Sequence, residues 1–317
     1  MKNETKIEVI AALEEYMQRY NLSANEVAKK SGVNPSYIST MRSGNFTMHV
    51  GDNDVDIADK YFEMVASLID FKLEKTYWET VPTTQMKQII NSLESAKVYG
   101  STIVIIGETG SGKTYVSNLF VRNYPVDAWI ITIGSQDNLS DIIEKMCDKI
   151  GVPIEKTKSR TIRSLIKKLK TMRMDGHRPI IIFDEAEYMK QPAMCNMKEL
   201  YDHLFGICSI VLMGTEQLTR HMDKMLKKNK DGIPQLWRRI KFGVRSLQAI
   251  DRTFKMFLNA ILNGREIDNS VIRFLIENCN NYGELHDVLV PAMREADRTG
   301  LPLTENLIRT MLNMPKL

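Results

Sequence analysis

Gly107-Glu108-Thr109-Gly110-Ser111-Gly112-Lys113-Thr114 follows the spacing G-x-x-x-x-G-K-[ST]. An apolar run, Thr102-Ile103-Val104-Ile105-Ile106, precedes it, and a helix-compatible segment from Tyr115 to Val121 follows. Strand, glycine-rich loop and helix in that order are the setting in which this spacing works as a phosphate-binding P-loop. The glycines let the backbone curl so that successive N–H groups face phosphate oxygens at the positive end of the next helix. Lys113 is expected to reach the β- and γ-phosphates, and the Thr114 hydroxyl to ligate Mg²⁺. The whole octapeptide, Gly107 through Thr114, is thus the expected cradle of a nucleoside triphosphate.

Two later strand ends supply the rest of a hydrolytic site. Ile180-Ile181-Ile182-Phe183 runs into Asp184-Glu185, an apolar strand followed by paired carboxylates. Asp184 is placed to hold Mg²⁺ in the manner of a Walker-B aspartate, and Glu185 to polarise the attacking water as general base. The strand Ile210 to Met213 ends at Gly214-Thr215, which makes Thr215 the candidate to contact both the γ-phosphate and that water.

Strands alternate with helices from Met86 onward, which predicts a parallel α/β sheet. Before it, residues 1–75 read as helical throughout, with a last helix from about Val55 to Lys75. Ser23 and Glu26 form a capping box, Gly32 breaks the chain, and Asn34-Pro35 starts a second short helix. This pair has the pattern of a helix-turn-helix whose outward face offers Ser36, Tyr37, Ser39, Thr40 and Arg42 to DNA. A plain helical hairpin is the alternative reading of the same pattern. Residues 76–85 read as a linker, 86–246 as the α/β core and 247–317 as a small helical domain.

At 317 residues the chain has room for about two domains. No apolar run approaches the roughly 20 residues of a membrane span, and no signal peptide is read. Cys147, Cys195, Cys208 and Cys279 lack C-x-x-C spacing, which argues against a zinc site and fits a reducing cytoplasm. A net charge of +4 is too weak to imply nucleic acid, but the bases are clustered. From Lys156 to Arg178 there are nine, opposed only by Asp175. Lys156, Lys158, Arg160 and Arg163 are the DNA candidates, the first three expected in the loop before a basic helix; a solvated helix face is the plain alternative.

P-loop, intervening strand, Asp-Glu strand, a further strand and a helical lid together resemble an AAA+ ATPase. Trp129-Ile130-Ile131-Thr132-Ile133, Ile181-Ile182-Phe183-Asp184-Glu185-Ala186-Glu187 and Val211-Leu212-Met213-Gly214 bring the resemblance closer, to the phage Mu B transposition protein family. The resemblance implies an α/β core with strand order 5-1-4-3-2, a helical lid, and ATP with Mg²⁺ as ligands. It also implies an arginine finger from a neighbouring subunit, matched here by Arg239 or Arg238, with Arg239 favoured. Gly283-Glu284-Leu285-His286 resembles the family's lid motif Gly-x-x-Arg but has histidine in place of arginine; Arg294, two turns later, is the substitute candidate for nucleotide contact. The implied partners are double-stranded DNA, a DDE-type transposase and further copies of the chain in an ATP-dependent oligomer or helical filament. A helicase-loader-type ATPase and an ATP-sensing helix-turn-helix transcriptional regulator are the alternative functions.

Overall fold

The computed structural model describes residues 1, 3–50, 53–69, 71, 77–262 and 267–315. The chain divides between Tyr77 and Trp78 into two compact units. The first contains α1 (Asn3–Tyr20), α2 (Ala24–Ser31), α3 (Pro35–Arg42), β1 (Thr47–Val50), β2 (Asn53–Asp56) and α4 (Asp59–Leu68). Ser23 caps α2 through a full capping box with Glu26, and α2 ends at Gly32, whose φ of 75° a side chain would resist. Val9, Leu13, Val27, Ile38, Phe62 and Val65 meet in the core that these helices share.

This unit is not helical throughout. Between α3 and α4, β1 and β2 pair antiparallel, Thr47 opposite Asp56 and Val50 opposite Asn53. The helix expected from Val55 therefore starts at Asp59, and its expected end at Lys75 falls outside the described residues. β-Branched Thr47, Val50 and Val55 favour extended backbone over the helix read there.

The second unit opens with Trp78–Thr83, most of the stretch read as a linker, and α5 (Thr84–Tyr99). There follow β3 (Thr102–Ile106), α6 (Lys113–Asn123), β4 (Ala128–Thr132), α7 (Leu139–Ile150), α8 (Lys158–Met174), β5 (Ile180–Asp184) and a 3-10 turn, Ala186–Tyr188. Next come α9 (Gln191–Leu204), β6 (Ser209–Gly214), α10 (Glu216–Lys227), α11 (Ile233–Ile240) and β7 (Val244–Ser246). The chain continues through α12 (Lys255–Ile261), α13 (Asn269–Asn278), α14 (Tyr282–Thr299) and α15 (Glu305–Met311).

All five strands of this unit pair in parallel, in the order β4-β5-β6-β3-β7. Alternate residues feed opposite faces. Ile103, Ile105, Ile180, Ile182, Val211 and Met213 pack with α5 and α6, through Ile89, Leu93, Val116 and Phe120. Val104, Ile106, Ile181, Phe183, Ile210 and Leu212 pack on the other side against α7 to α11. Both faces are covered, which is why these strands read as unbroken apolar runs rather than as alternation.

Candidate functional site

The carboxyl ends of β3, β5 and β6 lie side by side, with Ile106 opposite Gly214 and Phe183 opposite Leu212. The P-loop after β3, Asp184 and Glu185 at the end of β5, and Thr215 after β6 therefore open on one edge of the sheet. Open parallel sheets bind ligands at that edge. A cavity of about 530 Å³ lies there, lined by the P-loop, Asp184, Glu185, Glu187 and Thr215 at one end and by aromatic side chains at the other.

At the polar end, Gly110 and Gly112 hold φ angles of 74° and 86°. A Cβ on Gly110 would fall 2.3 Å from the Asn281 side chain, the residue that caps α14, so only glycine lets the start of α14 approach the loop. Lys113 Nζ donates to the carbonyl oxygens of Gly107 and Glu108, each at 2.8 Å. Burial pushes the Lys113 ammonium below the usual lysine range, while the Glu187, Asp184, Glu108 and Glu185 carboxylates pull it back up. The buried Ser111 hydroxyl has no hydrogen-bond partner among the described residues, a polar atom that a ligand oxygen in the loop would satisfy.

Thr114 Oγ1 donates to Asp184 Oδ2 at 2.6 Å, and Asp184 is buried. One hydroxyl and one carboxylate converging beside a phosphate loop are the hard oxygen donors that suit Mg²⁺, which is typically held by one or two carboxylates together with substrate phosphates. Among the described residues no cluster of three His, Cys, Asp or Glu offers an all-protein metal cage, and this donor set needs none. Glu185 adopts a left-handed backbone (φ 56°) and donates its N–H to Asp184 Oδ1 at 3.0 Å. Its own carboxylate is left exposed at the cavity.

The apolar end was not legible in the sequence. Trp78 stacks on Phe257 (4.9 Å between centroids, 24°), Phe257 meets Tyr282 at 4.8 Å, and His286 stands edge-on to Trp78 at 5.0 Å. Tyr282 donates its hydroxyl to Gln85 Oε1 (3.0 Å), and the Gln85 amide donates to the carbonyls of Gln248 and Ala249. Trp78, Val81, Phe257 and Tyr282 make an apolar wall suited to a heteroaromatic base. The hint available was an aromatic pair, Tyr77-Trp78, in an otherwise polar stretch. Glu187 was also missed as a site residue; its Oε1 accepts from both the N–H (3.3 Å) and the hydroxyl (2.9 Å) of Thr215.

Other expected residues lie away from the cavity. Arg294 is exposed on α14, eight residues beyond His286 or about 12 Å along a helix axis, and does not line the cavity. Of the motif from Gly283 to His286, both end residues line it, with His286 held within the aromatic wall. Arg239 on α11 is bound to Asp202 at 2.6 Å and to the Gln235 carbonyl, whereas Arg238 beside it is exposed. Lys156, Lys158, Arg160 and Arg163 are all exposed, but α8 starts earlier than expected, so Lys158 and Arg160 sit on the helix. The reason is Thr157, whose side chain accepts from Arg160 N–H and caps the helix there.

On α3, Ser36, Ser39 and Arg42 are exposed, while Tyr37 and Thr40 are half-buried. Tyr37 packs against Tyr61 at 4.7 Å, Thr40 donates to the Ser36 carbonyl, and Arg42 makes a two-pronged ion pair with Glu14 (2.5 and 3.1 Å).

A family model described as an AAA domain matches residues 97–222, the stretch carrying β3 to β6 and the polar end of the cavity. The Mu-like prophage FluMu DNA transposition protein B of Haemophilus influenzae is 21% identical over 270 residues, 84% of this chain and 89% of that protein. The ATP-dependent target DNA activator B of Escherichia phage Mu is 20% identical over 218 residues, 68% of this chain and 66% of the relative. Among solved structures, the Aeropyrum pernix ORC2 protein superposes with a TM-score of 0.54 at 15% identity, covering 74% of this chain and 68% of its own. The fold is that of AAA+ P-loop proteins, and over most of its length the chain resembles the transposition B proteins of Mu and Mu-like phages.

Proposed function

We propose that this protein is an AAA+ ATPase that assembles with ATP on target DNA, with little sequence preference, and recruits or activates a transposase. Hydrolysis releases it. The observation that carries the reading is the cavity in which the P-loop, the Thr114–Asp184 pair and Glu185 meet an aromatic wall. The similarity to proteins named for transposition and target DNA activation supports the rest.

In this reading the triphosphate lies along the P-loop N–H groups and Lys113, and the base lies against Trp78, Phe257 and Tyr282. Mg²⁺ is held by Thr114 and Asp184 and supplies charge neutralisation at the phosphates. Glu185 takes a proton from the attacking water. An arginine from α11 of a neighbouring copy, Arg238 or Arg239, meets charge developing on the transferred phosphoryl group. Lys156, Lys158, Arg160 and Arg163 contact DNA phosphates, which gives affinity without base reading. On α3, Ser36, Tyr37, Ser39, Thr40 and Arg42 are the candidates for direct DNA contact by the first unit, Ser36, Ser39 and Arg42 being the exposed ones.

Negative-stain microscopy with long random-sequence duplex, with and without ATP at moderate salt, tests this reading. The expected result is filaments coating the DNA only with ATP, and none with Lys113→Ala. Isolated particles at rare positions, indifferent to ATP, would replace it with a sequence-specific regulator.

A further inference from the structure

Glu187 lies in the 3-10 turn after β5, three residues beyond the Asp184 that faces Thr114. It is not one of the paired carboxylates at the strand end, yet it lines the same cavity. Oε1 receives two hydrogen bonds from Thr215, one from the backbone and one from the hydroxyl. Oε2 is buried with no hydrogen-bond partner among the described residues, against Gly214, where an added Cβ would come within 2.3 Å. A carboxylate oxygen without a donor is costly to bury, so retaining Glu187 here calls for a function beyond packing.

Thr215 has one hydroxyl hydrogen, and it is donated in the hydrogen bond to Glu187. The Thr215 oxygen then presents lone pairs only; one accepts the Gln217 N–H at 3.3 Å, and the other is available. A group in that state cannot donate to a phosphate oxygen. It can accept from a water.

We propose that Glu187 is a positioning residue for hydrolysis, fixing Thr215 as an acceptor that orients the attacking water. The step rests on the ATPase reading above. The water gives one proton to Glu185, and its second O–H points at Thr215 Oγ1. Its oxygen bonds to the γ-phosphorus as the bond to the bridging oxygen breaks, and that oxygen leaves with its electron pair on the diphosphate. Thr215 is neither proton donor nor base; it sets the direction of attack, and Glu187 sets Thr215. Gly214 belongs to the same device, because a side chain there would displace Glu187.

A double-mutant cycle on the full chain tests this, reading steady-state ATP turnover with DNA and, separately, affinity for a fluorescent ATP analogue. Glu187→Ala and Thr215→Val are each expected to lower kcat on the order of 100-fold, the size of a misplacement effect, with analogue affinity unchanged. The double variant should be no slower than either single one, since both break the same arrangement. Glu187→Gln, whose amide oxygen still accepts from Thr215, should recover most of the loss. Multiplying effects, wild-type turnover in Glu187→Ala, or loss of analogue binding in both Glu187 variants would overturn the proposal. Failure of the ATPase reading itself would look different: the unmodified protein would neither bind the analogue nor turn over ATP.

Discussion

Arg238 and Arg239 are neighbours in sequence with different circumstances. Arg239 is committed to Asp202 and lies over Tyr201, while Arg238 is exposed and does not line the cavity of the candidate site. Freeing Arg239 would break a charge-assisted bond, so Arg238 is the arginine more easily offered to a neighbour. Arg238→Ala should therefore cut assembled turnover on the order of 1,000-fold while leaving analogue binding intact, and Arg239→Ala should cost much less. Mixing Arg238→Ala subunits with Glu185→Gln subunits should restore part of the activity, measured as turnover against mixing ratio. At this scale the candidate site was most legible where its pattern is local. The P-loop, Asp184 and Glu185 were readable because each depends on a few adjacent residues. Glu187, Asn281 and Trp78 were not, since each acts through a partner far along the chain: Thr215, Gly110 and Phe257.

Among the elements, α8 is built for two surroundings at once. Ile162, Leu165, Ile166 and Leu169 bury one face, which leaves Arg160, Arg163, Lys167 and Lys168 exposed. Replacing Lys156, Lys158, Arg160 and Arg163 by Gln should weaken DNA binding across all sequences. The slope of log affinity against log salt should flatten by about 0.9 for each phosphate that is no longer neutralised. Thermal melting should hardly move, because exposed substitutions usually cost within about 0.5 kcal/mol. Strands β3 to β6 and the helices between them were legible because their apolar periods are long and both sheet faces are covered, whereas α10, α11 and the three-residue β7 were not read. Nor was the β1–β2 pair: four-residue strands give too little alternation to outweigh a helical pattern on either side.

For the molecule as a whole, every residue lining the cavity lies at or after Trp78, the first residue of the second unit. A chain starting at Trp78 should therefore bind the ATP analogue with unchanged affinity, whereas one starting at Thr83 should bind poorly, by fluorescence titration. The sheet has a further consequence, for the order of events at the ribosome. β3 pairs Thr102 with Ile210 and Val104 with Val244, so the strand that carries the P-loop has no partner until more than a hundred further residues exist. During synthesis its apolar backbone must wait, and such waiting strands are what chaperones attend. Nucleotide can thus select only nearly finished molecules: β3 gains its partners late, and the aromatic wall on α12 and α14 follows later still.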